Sequence, residues 1–505
     1  MGSENKSGGL LAPPDETAVA QGLRFLRWRW PLVLLISAIV LAPCFWHQRI
    51  EAGDLASHTY NAWLAQLIER GQAPGLYFAP QWNNILGDAA LQRLGRAVGF
   101  AAAEKITVAA CVPTFFWGAF ALVSVASRKA PWFLVPAIAM LAYGWTFQMG
   151  FLNYYLSLGL AFFAWALFWR GRGVDWIVGL VFAGLALLAH PMGFLCLVGA
   201  VAYVKLAEAI SGWRRWAVFA SALLAVLALH FYIVRHFRTQ FWDTSIFYVM
   251  NGADQLVLFG KRYAIVASAT LIFSCVCLVY ADLREGRGAS SRWGFRTPLE
   301  FWAILLFAAA VIPELIQLPQ YVAPVGFPVS RLTSLTAVMG LCMLGYMRPR
   351  KWHLAGFVAL AAVFFTLVYR DTGVLNGMER QAENLVRTLP YGRRVIATIS
   401  APQGSRVFFI NHMVDRACIG RCFAYSNYEP ASGQFRIRVL PNSPIVADST
   451  LTAERMELGQ YIVRPEDLPL TQIYQCDEKD WTRLCMRDLE AGEKNGRIGY
   501  RPFPQ

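Results

Sequence analysis

Glu51-Ala-Gly-Asp-Leu-Ala-Ser-His-Thr-Tyr-Asn-Ala-Trp-Leu-Ala-Gln-Leu-Ile-Glu-Arg-Gly71 is the stretch whose reading decides the rest of this chain. If Asp54 opens a helix, Asp54, His58 and Asn61 fall at i, i+4 and i+7 on one face. Tyr60, Trp63, Leu64, Leu67 and Ile68 then form an apolar stripe opposite, suited to a membrane interface, and Gly71 stands where a C-terminal cap would end the helix. The polar face is a candidate reaction centre.

Outward from this stretch the chain is apolar. Of 505 residues, 56% are hydrophobic and only 15% charged, with mean hydropathy +0.40, which excludes an ordinary soluble domain. Apolar runs near 31–47, 106–127, 131–146, 151–169, 174–190, 192–209, 216–234, 262–282, 299–317, 331–347 and 352–369 are each suited to crossing a hydrocarbon core about 30 Å thick. The expected fold is therefore an α-helical polytopic membrane protein of about eleven transmembrane helices. A long first outer loop spans 48–105, and a small mixed α/β extracytoplasmic domain follows at the C-terminus. Residues 1–22 read as a disordered cytoplasmic tail, 23–369 as the membrane domain and 370–505 as the outer domain. The first apolar run lacks a cleavage site and reads as a retained span.

Every second connection is basic: Arg128 and Lys129, Arg170 and Arg172, Arg214 and Arg215, Arg284 to Arg296, and Arg348 to Lys351. Positive-inside bias makes this set cytoplasmic and puts the 48–105 loop and the tail outside, in a bacterial inner membrane with a periplasmic C-terminal domain. The net charge of +14 follows largely from these loops and requires no nucleic acid. In the tail, Arg394-Val-Ile-Ala-Thr-Ile and Ser405-Arg-Val-Phe-Phe-Ile read as strands. Cys418, Cys422, Cys476 and Cys485 face an oxidising compartment in this orientation. Three pairings are open; Cys418 with Cys422 and Cys476 with Cys485 is the preferred one, and a zinc site with His412 is the alternative.

The chain has no Walker loop, dinucleotide fingerprint, zinc-protease helix or nucleophile elbow. What remains is a set of polar residues at the expected outer side: Asp54 and Asp88 in the first loop, His190 at a span end, and Arg235, Arg238, Lys261 and Arg262 in a later loop. Arg331 begins a late span. This layout resembles the GT-C superfamily of membrane glycosyltransferases that use lipid-linked sugars, which includes protein O-mannosyltransferases, aminoarabinose transferases and catalytic subunits of oligosaccharyltransferase. The resemblance rests on Gly53-Asp54 just after the first span, on His190-Pro191 and on Pro328-Val-Ser-Arg331, and covers residues 24 to about 370. Leu55 replaces the second acid of the Asp-Glu pair common in the mannosyl and aminoarabinosyl branches. Asn427-Tyr-Glu-Pro430 and Gln434-Phe-Arg-Ile-Arg438 in the tail match no domain of known chemistry.

The resemblance implies sugar transfer from a polyprenyl-phosphate donor to a glycan, lipid or protein acceptor on the outer face. One carboxylate suffices for this, because the departing phosphate already carries charge and needs no general acid. Asp54 is the expected base, with a helix N-cap as its other reading. His58 would bond Asp54 or the acceptor, or stand as a solvated histidine. Asp88 would share a divalent cation, Mg or Mn, with Asp54, as acids do in metal-using branches, or occupy a turn. Arg331 offers a planar fork for the lipid phosphate, with Arg235, Arg238, Lys261 and Arg262 as further candidates, each otherwise a headgroup contact. Glu314 is expected to pair with one of these cations. His190, Gln148 and Asn153 are candidate pocket residues, the last two reading more simply as helix-to-helix bonds. The rival functions are a glycan ligase or polymerase, a flippase or transporter of a lipid-linked or anionic solute, and a scaffold presenting the tail.

Overall fold

The first helix is opened by side chains rather than by composition. Thr17 Oγ1 accepts from Ala20 N at 3.2 Å, and both carboxylate oxygens of Asp175 accept from the next free donors, Ala18 N and Val19 N, at 2.8 Å. A computed structural model describes residues 17–241, 250–284, 295–401, 405–408, 410, 412–477 and 479–496. Residues 1–16 of the expected tail and most of the basic connection 284–296 lie outside them. Helix α1 (Ala18–Leu41) starts before the expected boundary at residue 23.

The candidate stretch forms α2 (Leu55–Glu69), followed by β1 (Leu76–Phe78) and α3 (Leu86–Val98). Then come α4 (Phe100–Ser127), α5 (Val135–Ala142), α6 (Trp145–Gln148), α7 (Leu152–Arg170), α8 (Val174–Ala189), α9 (Pro191–Ala209) and α10 (Trp213–His236). Strand β2 (Arg238–Gln240) precedes α11 (Lys261–Arg284) and α12 (Arg296–Val311). Strands β3 (Leu315–Gln317) and β4 (Val325–Gly326) lead into α13 (Pro328–Gly345) and α14 (Lys351–Arg387). Among the described residues eight helices are long and apolar enough to cross a membrane: α1, α4, α7, α9, α10, α11, α13 and α14. Helix α8 is apolar but shorter. Helices α4, α7 and α13 are mostly buried and form the centre, whereas α10 buries nothing and presents its apolar surface outward.

Two expectations about the spans change. Residues 131–146 do not form one helix: α5 ends at Ala142 and α6 restarts at Trp145, because Gly144 packs against the 255 backbone, where a Cβ would lie 2.9 Å from Gln255 O. Helix α14 does not end near 369. The charged Tyr369-Arg370-Asp371 segment reads as a span end, but Asp371 is held by Arg262 and by Tyr263 Oη at 2.6 Å, so the helix continues to Arg387. Its 37 residues measure roughly 55 Å, longer than a hydrocarbon core, and the excess carries the C-terminal domain.

That domain contains β5 (Arg393–Thr398), α15 (Met413–Ala417), β6 (Cys422–Ala424), α16 (Glu429–Ser432), β7 (Ile437–Val439), α17 (Thr450–Glu457), β8 (Leu470–Gln475) and β9 (Leu484–Leu489). Its sheet runs β6-β5-β8-β9, with β5 parallel to both neighbours and β8–β9 antiparallel. The expected strand at 394–399 is β5. The one expected from Ser405 is irregular over its described residues, because its backbone turns to the membrane domain, Arg406 N donating to Leu258 O at 2.8 Å. Cys418 bonds Cys422 and Cys476 bonds Cys485, the preferred pairing, which leaves those sulfurs unable to serve zinc. A further ribbon, β1 with β7, joins the first loop to the tail in the register Leu76 to Val439.

Candidate functional site

Helix α2 does not lie in a membrane interface. The C-terminal domain covers its stripe: Trp63 packs on Phe423 with ring centres 5.9 Å apart, and Tyr60 Oη accepts from Ala424 N at 2.9 Å. The sequence shows an amphipathic helix but not the distant strand that seals it. The polar side is buried too. Ser57, His58 and Asn61 are each less than a tenth exposed.

Asp54 is fixed by its backbone. Gly53 N and Asp54 N donate to Gln148 O and Met149 O at 2.9 Å, laying the start of α2 against the turn between α6 and α7. A Cβ on Gly53 would stand 2.5 Å from Met149 O, and one on Gly150, at φ +76°, would stand 2.4 Å from Leu55 N. Only glycine allows both the approach and the turn. The Asp54 side chain makes no cap hydrogen bond, which removes the N-cap reading, and its Oδ1 lies 3.8 Å from His412 Nε2.

His412 is supplied by the C-terminal domain at the start of α15. Its Nδ1 bonds Asp415 Oδ2 at 2.8 Å and its ring packs 5.5 Å from Tyr428. Burial lowers the imidazole's affinity for a proton, but Asp415, then Asp54 and Glu457, outweigh it and raise the pKa to about 10. His58 does not bond Asp54; its Nδ1 bonds Asp88 Oδ1 at 2.8 Å. There too burial acts downward and the Asp88 carboxylate outweighs it, raising His58 to about 9. Glu429 of α16 accepts from Ser57 Oγ and Asn61 Nδ2, each at 2.6 Å. Burial pushes it up to about 7 against the pull of His58. Glu457, at the end of α17, is pushed up to about 8 by burial and lies within electrostatic range of His412 and Asp54.

Arg331 reaches this cluster from the first turn of α13. Its guanidinium lies 4.1 Å from the Phe151 ring centre and 5.6 Å from that of Tyr154, within electrostatic range of Asp54, Glu314 and Tyr428. Its Nε is buried without a hydrogen-bond partner, and among the described residues no carboxylate lies within ion-pair distance. His190 is brought beside it, edge-on to Tyr154, but its Nδ1 accepts from Met192 N and caps α9. Glu314 accepts from Val329 N at 3.0 Å and caps α13.

The other candidates serve structure. Asn153 accepts from Gly87 N at 2.7 Å and donates to Asp88 Oδ2 at 3.1 Å, fixing the start of α3, and Gln148 presents its backbone to Gly53. Arg235, Arg238 and Lys261 are exposed, and Arg262 is tied to Asp371, so these four do not join Arg331. The Asp54–Asp88 cation pair is not assembled either: both Asp88 oxygens are engaged by His58 and Asn153, and burial is outweighed by His58 in holding its carboxyl below the usual range. Among the described residues no group of three or more His, Cys, Asp or Glu is set to hold a metal, so the donor set does not fit the expected cation.

Beneath the cluster, Arg416 of α15 meets Glu379 Oε2 at 2.5 Å, Glu104 Oε1 at 2.8 Å and Glu51 Oε2 at 3.4 Å, all buried. It ties the C-terminal domain to α4, α14 and the segment leading to Asp54. Sequence reasoning missed Glu429, Glu457 and Arg416 and weighed His412 only as a metal ligand. The one signal was charge packed into His412-Met-Val-Asp-Arg416 and Tyr428-Glu429, several of whose partners, Asp54, Ser57 and Glu104 among them, lie hundreds of residues away.

Fold and site together define a polytopic helical membrane protein in which the first loop, the top of α13 and a small α/β domain converge on one charged cluster. No family model and no curated protein sequence matches the chain. Among solved structures it is similar to the mycobacterial arabinofuranosyltransferase AftD, at 16% identity and TM-score 0.43 over 90% of this chain. The chain spans 37% of the length of that protein.

Proposed function

We propose that this protein is an inverting membrane glycosyltransferase that moves a sugar from a polyprenyl-phosphate donor to an acceptor hydroxyl. The observation that carries the reading is the placement of Asp54, whose side chain makes no cap bond, within electrostatic range of Arg331, which among the described residues has no carboxylate at ion-pair distance. In this reading the acceptor oxygen attacks the anomeric carbon and its proton passes to the Asp54 carboxylate. The bond from that carbon to the phosphate oxygen breaks, and its electron pair leaves on the phosphate. Arg331 holds the departing phosphate through its planar fork. His412, charged and held by Asp415, orients the base from the side of the C-terminal domain.

The site faces outward in this proposal, supported by the basic connections at the opposite helix ends and by two disulfides in the domain that covers it. Glycan, lipid and protein acceptors all present the required hydroxyl. The test is transfer by purified protein in lipid from a panel of radiolabelled polyprenyl-phosphate sugars, comparing wild type with Asp54→Asn. Transfer undiminished by the substitution removes Asp54 as base, and transfer from none of the donors overturns the reading.

A further inference from the structure

A second site lies on the other side of α13. A cavity of about 930 Å³ opens between α5, α11, α12 and α13, within the size range of lipid and drug-sized pockets. Its wall is mostly apolar, with Asn251, Thr270 and Ser274 as polar members, and its lateral edge includes the exposed side chains of Cys275, Val279 and Leu299, so it opens toward the outer surface of the bundle, where lipid would lie. Gly340 lines it and is nine residues beyond Arg331. At about 100° per residue that is roughly half a turn around α13, and about 13 Å along it. The cavity therefore faces away from the Asp54–Arg331 cluster around α13, and it runs from Asn251 and Gly252 in the connection before α11 to Tyr346 and Met347 at the opposite end of the bundle.

That end is basic. Tyr346 and Met347 line the cavity, and the exposed Arg348, Arg350 and Lys351 follow directly. Lys129 Nζ donates to Tyr346 O at 2.9 Å and also to Met347 O, and Arg128 and Arg170, with the acid Glu208, lie within electrostatic range of Tyr346. On the α12 side, Glu300 is bridged by Arg215 and Arg296. An apolar groove that ends in cations matches a molecule with a hydrocarbon chain and an anionic head.

We infer that this groove holds an acyl chain of an anionic phospholipid whose phosphate meets the Arg348–Lys351 rim. A polyprenyl phosphate held by Arg331 would place its head at the other end and on the other face of α13. The occupant is therefore a resident lipid, distinct from a substrate.

Gly340 supplies a clean block, since a Cβ there meets nothing within 4 Å and Gly340→Phe grows into the groove. The full-length protein is purified from nanodiscs containing equal phosphatidylglycerol, phosphatidylcholine and undecaprenyl phosphate, and retained lipid is read by native mass spectrometry. One phosphatidylglycerol is expected per chain, favoured over phosphatidylcholine by at least about tenfold. Gly340→Phe removes it with the melting temperature of the lipid-free protein unchanged, and the Arg348→Glu, Lys351→Glu double variant weakens it by a similar factor. Equal retention of the two phospholipids, preference for undecaprenyl phosphate, or retention unchanged by either variant overturns the inference.

Discussion

Arg416 and Arg331 approach the same cluster from opposite sides and are treated in opposite ways. Arg416 is 2% exposed and meets three buried carboxylates. Arg331 rests on two aromatic rings, with a buried Nε that bonds nothing. The first is complete within the chain, so its charge holds the C-terminal domain against α4 and α14. The second makes no ion pair among the described residues, and the carboxylates of Asp54 and Glu314 stand only within electrostatic range. A buried charge with its counterions is architecture, whereas a half-buried one without a direct partner is the place to test for an outside anion.

The largest effect is expected at the completed arginine. Arg416→Met leaves Glu51, Glu104 and Glu379 together without a cation, and losing one partner of a buried pair costs about 3–5 kcal/mol. Burial and the neighbouring Glu379 already push Glu51 well above the usual carboxylate range against the pull of Arg416, so the cluster has little room for more negative charge. Thermal unfolding in detergent should show a large loss, or no folded protein. If Arg416→Met melts like wild type, Arg416 does not hold the domains together.

Asp54→Asn sharpens the contrast from the other direction. It keeps the shape of the side chain and removes no cap bond, only the charge 3.8 Å from His412, which Asp415 still holds, so melting is expected to stay close to wild type while transfer falls about 10²–10⁴-fold. A loss of stability comparable to that of Arg416→Met would make Asp54 part of the architecture.

The histidines give a third, pH-dependent separation. His58 and His412 bind protons more tightly in the folded chain, with pKa values of about 9 and about 10 against about 6.5 unfolded. Their contribution is fully present below pH 6.5 and is lost as pH rises through these folded values. For His58 this is on the order of 3 kcal/mol. The melting temperature should therefore fall between pH 7 and 10, and Asp88→Asn should flatten the part of the fall that belongs to His58. An unchanged slope in Asp88→Asn would mean that His58 does not titrate against Asp88.

The helices were legible because each apolar run carries its own signal, and the disulfides because the cysteines of each pair are close in sequence. The position of Asp54 at the head of α2 was legible because it precedes an amphipathic helix after a span. The break at Gly144 and the length of α14 were not, since one depends on the backbone at Gln255 and the other on Arg262 and Tyr263 reaching Asp371. For His58 the local pattern offers Asp54 one helical turn away, an acceptor or solvent, but its partner is Asp88, thirty residues on. The Asp54–His412 and Arg416–Glu104 pairs join positions more than three hundred residues apart, and no local period encodes such pairs.

The smallest expected effect is the most specific. Arg331→Ala removes charge and fork together, and donor affinity should fall about 10–100-fold, the worth of one or two charge-assisted hydrogen bonds. Arg331→Lys keeps a cation that can rest on Phe151 and Tyr154 but replaces the planar fork with a point charge. If the fork binds phosphate bidentately, the lysine form should bind donor several-fold more weakly than wild type, by roughly 1 kcal/mol, and still better than the alanine form. Equal binding by lysine and arginine would reduce the role of Arg331 to charge alone. Equal binding by alanine and arginine would show that the partnerless arginine faces no phosphate, and the contrast with Arg416 would lose its functional meaning. Measuring both variants by donor titration, with acceptor affinity as the control, separates these outcomes from a general loss of the site.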